Sequence, residues 1–168
     1  MNPRVSIIMG STSDLKVMEK AAKLLDEFEI PFEMNALSAH RTPEEVKDFA
    51  IHAEGRGIEV IIAGAGMAAH LPGIIASMTT LPVIGVPIEA SMNGIYALLS
   101  IVQMPPGIPV ATVGINASLN ASILAIEMLA LKDENINVRL KSYKKNLKQK
   151  IVEANEQLKE VKYRFKTN

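Results

Sequence analysis

The chain has 168 residues, 48% of them hydrophobic and 21% charged, with a formal net charge of zero and no cysteine. That length and composition fit one globular domain with a full core and exclude a disordered chain. The missing cysteines exclude disulfides, thiolate nucleophiles and sulfur-ligated zinc. No basic-then-apolar leader and no apolar stretch of membrane-spanning length is present, so a soluble cytoplasmic protein without membrane contact is the expectation.

The elements alternate along the chain. Val5 to Met9 reads as a strand, followed by a helix whose apolar face is Leu15, Met18, Ala22 and Leu25. A second strand covers Phe32 to Leu37. The next helix carries a start signal: Thr42 as N-cap, Pro43 at the first position and Glu45 to complete a capping box. Its buried face is Val46, Phe49, Ala50 and Ala53, and Gly55-Arg56-Gly57 ends it. Val60 to Ala63 and Val83 to Val86 are apolar runs without polar alternation, as in strands covered on both sides. Short helices are expected over Pro72 to Met78 and Gly94 to Val102, a fifth strand over Pro109 to Val113, and a helix over Ser118 to Leu129. This alternation predicts a three-layer α/β/α sandwich on a parallel sheet, with a flavodoxin-like strand order.

The tail breaks the rhythm. Leu140, Leu147, Ala154 and Val161 recur every seven residues, with Tyr143, Ile151 and Leu158 on a second seam. Such a stripe needs a surface to cover. We therefore expect residues 1–131 to form the catalytic domain and 132–168 a helical extension used in oligomer packing. Charge divides at the same place: residues 1–131 hold 7 basic and 13 acidic side chains, a net of −6, and residues 132–168 hold 11 and 5, a net of +6. Because the tail's lysines alternate with the apolar stripe, they read as a solvated helix face and not as a nucleic-acid site.

Three segments follow strands and open helices, and in a parallel sheet such loops meet at one edge. Gly10-Ser-Thr-Ser-Asp14 offers free N–H groups and hydroxyls to an anion, or caps its helix through Ser13 or Asp14. Asp14 disfavours a phosphate beside it and suits sugar hydroxyls. In Ser38-Ala-His-Arg-Thr-Pro43, Arg41 can fork onto a phosphate or carboxylate. His40 can give and take a proton near neutral pH, or simply hydrogen-bond at the helix entry. Gly64 to Gly73 is built of small residues that let a backbone approach a ligand. His70 there stands before a helix, where the dipole favours a neutral imidazole lining or positioning the ligand. His52 reads as a surface residue.

Together with Ser-Ile-Val-Gln-Met-Pro105, these motifs resemble, in order and from about Val5 to Leu129, the class I N5-carboxyaminoimidazole ribonucleotide mutases of purine biosynthesis. The resemblance implies a phosphate site at Ser11, Ser13, Ser38 and Arg41, a ribose contact at Asp14 and the catalytic histidine at His40. Ala39 belongs to the same substrate loop. Gly64, Ala65, Gly66, Met67, His70 and Leu71 would fall on the wall that holds the base and the CO2 intermediate. It implies a homo-octamer with Gln103-Met104-Pro105 near a neighbour's site, and no metal or organic cofactor. Two positions depart from the pattern: Met67 replaces the usual glycine, and Tyr96-Ala97 replaces the usual Asp-Ser. The alternatives are a class II-type carboxylase of aminoimidazole ribonucleotide using free CO2, a flavodoxin-like FMN protein, and a non-catalytic nucleotide binder. Arg41 and His70-Leu71-Pro72 favour class I over class II. Only 4% aromatics and no tryptophan disfavour FMN, and His40 beside an anion site disfavours a simple binder.

Overall fold

The computed structural model describes residues 2–168. Five strands, β1 (Val5–Met9), β2 (Phe32–Ala36), β3 (Val60–Ala65), β4 (Val83–Pro87) and β5 (Ala111–Thr112), alternate with helices α1 (Leu15–Glu27), α2 (Pro43–Ile51), α3 (Leu71–Ala76), α4 (Ile95–Val102) and α5 (Ser118–Ala130). All pairings are parallel, in the order β2-β1-β3-β4-β5. This is the expected flavodoxin-like order, and it places the switch of winding direction between β1 and β3.

Side-chain alternation explains the layers. Val5, Ile7, Ile62, Ile84 and Val86 point to one face, where they meet Met18, Ala21 and Leu25 of α1 and Ala121, Ala125 and Ile126 of α5. Ile8, Ile61, Ala63 and Val83 point to the other, against Val46 and Phe49 of α2, Leu71 and Ile75 of α3, and Ala97 and Ile101 of α4. β1, β3 and β4 are buried along their whole length, as strands covered on both faces must be.

Three local readings need correction. Leu15 is 47% exposed, and the buried stripe of α1 is Met18, Ala21, Ala22, Leu24 and Leu25. Leu15 opens the helix just after the 3-10 turn Thr12–Asp14, at the open edge of the sheet where no layer covers it. The capping box at α2 does not form: Thr42 makes no side-chain cap bond, because its hydroxyl is engaged by Ser38. β5 is only two residues long. It lies at the sheet edge, and Pro109 has no N–H to contribute to a ladder.

The extension is a single helix, α6 (Glu134–Glu160), capped by Asp133, whose carboxylate accepts from the amides of Asn135 and Ile136. Val161, taken above as part of the stripe, is the C-cap residue. The first turns belong to the core: Ile136 and Leu140 are buried, and Tyr143 meets Phe28 edge-on with ring centroids 5.5 Å apart. Arg4 pairs with Asp133 at 2.7 Å and Lys144 pairs with Glu127. Beyond them the apolar stripe is open, with Leu147, Ile151, Leu158 and Val161 between 41% and 73% exposed. Among the described residues, no helix is long and apolar enough to cross a membrane.

Candidate active site

The first loop is held from beneath. Gly10 N–H donates to the Gly64 carbonyl (3.2 Å), so the loop leaves β1 already fixed to β3. Ser11, and not Ser13 or Asp14, caps the first turn, its hydroxyl accepting from the Ser13 amide. Asp14 is half-buried at the end of that turn. Burial pushes its carboxyl above the ordinary value, against the lowering effects of Ser11, Ser13 and Arg41. A carboxylate short of solvent in this way gains from any hydroxyl donor brought to it.

The second loop is closed by Thr42. Its hydroxyl oxygen accepts from the Ser38 amide (2.9 Å) and its hydroxyl donates to the Ser38 carbonyl (3.1 Å). The Thr42 amide donates to the same carbonyl at 2.8 Å, and the Arg41 amide donates to Ser38 Oγ at 3.3 Å. This knot presents Ala39, His40 and Arg41 at its tip. Arg41 Nη2 then reaches across to the Gly10 carbonyl (3.1 Å) and joins the second loop to the first.

The third loop extends β3. Gly66 lies so close to the chain after β4 that a methyl group on it would meet the Ile88 carbonyl oxygen at 3.3 Å and the Ala90 side chain at 3.4 Å. Met67 takes φ 55° and Ala69 φ 40°, a left-handed backbone that a side chain disfavours. The departure from glycine at Met67 therefore falls where glycine is free of strain. Its side chain stays 63% exposed, and Ser91 Oγ lies 3.0 Å from its sulfur. The thioether thus links the loop after β3 to the loop after β4 at the rim of the cavity.

These loops enclose one cavity of about 650 Å³ at the C-terminal edge of the sheet. Ser11, Ser13, Asp14, Ser38, Ala39, His40, Arg41, Ala65, Gly66, Met67, His70 and Leu71 all line it. Gly64 does not line it. It is buried in β3 under the floor, where an added methyl would come within 2.5 Å of the Met18 sulfur. Nε2 of His40 lies 2.8 Å from Nδ1 of His70, with the rings close to perpendicular. His52 is outside, paired with Asp48 on the surface.

Sequence reasoning missed Lys16, Glu89 and Asn116, which also line the cavity. Asn116 accepts from the Glu89 amide (2.9 Å) and donates to its carboxylate (3.0 Å). Asn116 is itself left-handed, at φ 57°. The signal was available: the segments after β4 and β5 emerge at the same sheet edge as the others, and neither carries a glycine-rich pattern to draw notice. Among the described residues no group of three or more His, Cys, Asp or Glu side chains is placed to hold a metal ion.

A family model described as AIR carboxylase matches residues 4–150. A Pyrococcus abyssi protein named N5-carboxyaminoimidazole ribonucleotide mutase is 60% identical over 147 residues, covering 87% of this chain and 84% of its own. A Thermotoga maritima protein of the same name is 55% identical over 163 residues, covering 96% and 95%. The crystal structure of Treponema denticola PurE superposes with a TM-score of 0.84 at 34% identity, covering 94% of this chain and 99% of that one.

Proposed function

This chain belongs to the AIR carboxylase family, and from that premise we infer that it is an N5-carboxyaminoimidazole ribonucleotide mutase. It is an isomerase of purine biosynthesis that moves a carboxylate from the exocyclic N5 to ring carbon C4. The observation that carries the reading is the convergence of Arg41, Ser11, Ser38, Asp14 and His40 on one cavity, in a chain 60% identical to a protein named for that reaction.

The chemistry asks for few groups. The Arg41 guanidinium, with the Ser11, Ser13 and Ser38 hydroxyls, suits the substrate phosphate, and the under-solvated Asp14 carboxylate suits the ribose hydroxyls. His40 protonates N5, the N–CO2 bond breaks, and CO2 leaves an electron-rich aminoimidazole. C4 attacks the CO2 held beside it by the small-residue wall Ala65 to Leu71, and His40 takes the C4 proton. The proton that His40 gives is thereby returned. Confinement of CO2 contributes through proximity, and acid–base help of this kind is worth about 10²–10⁴-fold.

The deciding assay offers the protein N5-carboxyaminoimidazole ribonucleotide, and separately aminoimidazole ribonucleotide with low bicarbonate, following the C4-carboxylated product by absorbance. Conversion of the first alone is expected. Conversion of the second alone would make the chain a direct carboxylase.

The homo-octamer that the resemblance implies would give the open half of α6, from Leu147 to Val161, a neighbour to pack against. Removing residues 146–168 leaves Ile136, Leu140 and Tyr143 in place, so the subunit is expected to stay folded while its sedimentation falls to a smaller assembly. An unchanged number of subunits per particle would remove the tail from assembly.

A further inference from the structure

We propose that His70 is a positioning residue that holds the shared proton on Nε2 of His40, so that Nδ1 of His40 is the one nitrogen that works on the substrate. The proposal rests on the mutase reading for its kinetic consequences, but its central claim concerns which nitrogen carries hydrogen.

Nε2 of His40 and Nδ1 of His70 are 2.8 Å apart, so one of them donates and the other accepts. The partner of one imidazole nitrogen decides the state of the other. His70 is the N-cap residue of α3, where the orientation of the helix disfavours positive charge. In the proposed arrangement His40 donates and His70 accepts at Nδ1 through its lone pair, which leaves the hydrogen of His70 on its own Nε2. In this arrangement the His40 imidazolium donates Nε2–H to His70 and Nδ1–H to N5 of the substrate. After transfer His40 is neutral, still protonated on Nε2, and its Nδ1 lone pair is free. That lone pair then accepts the C4 proton and restores the imidazolium. The proton leaves from and returns to one atom, and neither histidine becomes anionic. An acceptor that fixes a catalytic imidazole's tautomer and orientation is a known use of such a bond, here supplied by a second imidazole.

The test has two independent arms. Nitrogen-15 NMR of the full chain, with signals assigned by their loss in His40→Asn and in His70→Asn, should show neutral His40 as the Nε2–H tautomer and His70 bare at Nδ1. Hydrogen on Nδ1 of neutral His40 would overturn the proposal, and this reading does not depend on turnover. In the kinetic arm, His70→Leu removes the acceptor and should lower kcat by about 10–100-fold with KM within about twofold. His70→Asn places an amide oxygen near the lost Nδ1 and should recover kcat to within about fivefold of the parent. Unchanged kcat in His70→Leu, a loss confined to KM, or an asparagine variant no better than the leucine one would overturn it. A parent chain that turns over no substrate would instead sink the mutase reading and leave the NMR arm standing.

Discussion

Replacing His40 with asparagine is expected to remove turnover by at least about 10³-fold, near the upper range for loss of an acid–base group. In the proposed mechanism two half-reactions use the same imidazole, and the nearest other titratable groups are already engaged elsewhere. His70 is held against Nε2 of His40, and the carboxylates of Asp14 and Glu89 lie with other parts of the cavity, Asp14 in the first loop and Glu89 bound to Asn116. Asparagine keeps a polar group at the loop tip, and the Ser38–Thr42 knot that shapes the loop does not involve the His40 side chain. Nucleotide affinity should therefore stay within about tenfold of the parent, roughly 1.4 kcal/mol. Equilibrium binding and single-turnover absorbance measured on one preparation check both halves. Substantial remaining turnover would take His40 out of the proton transfers.

Arg41→Ala is expected to act on the other side of that division. A guanidinium on a phosphate is a charge-assisted contact, and its loss should weaken substrate binding by about 10–100-fold, corresponding to roughly 1.5–3 kcal/mol. The rate at saturation should change much less. Arg41 also ties the second loop to the Gly10 carbonyl, so Arg41→Lys is the informative companion. Lysine keeps the charge but has no planar fork, and it should recover part of the affinity. A KM unchanged in Arg41→Ala would refute the phosphate contact.

Much of the fold was legible because its signals are local and repeated. The unbroken apolar runs at Val60 and Val83 could only suit strands covered on both faces, and the three loop motifs each sat after such a run. Even the strand order came out as expected. What escaped depended on what stands opposite a residue. Leu15 fits the helical period, but its burial depends on a layer that ends before it. Thr42 has the sequence of a cap, yet its hydroxyl is closer to Ser38 than to its own helix, and no spacing rule weighs those two partners. Gly64 belonged to a ligand-like motif, and its small size serves Met18 beneath it. Glu89 and Asn116 reach the cavity from plain connecting segments, each visible only once the sheet has gathered its loops. The contact between His40 and His70, thirty residues apart, exists solely because β1 separates β2 from β3 and the loops flanking it fold over the same edge.

That central position of β1 also bears on how the molecule comes apart. Every neighbour pair in the sheet joins strands separated by a crossover helix, so no two strands can associate as a local hairpin, and non-local pairing of this kind makes for slow assembly. The cavity straddles β1 and β3, the two strands on which both halves of the sheet are built. Its loops therefore have no supporting fragment that could survive alone once the centre opens. On the proposed function, a nucleotide bound across them would be coupled to global unfolding and not to fraying of one edge. At a ligand concentration 100 times Kd, this linkage adds about 2.7 kcal/mol to the stability of the whole domain.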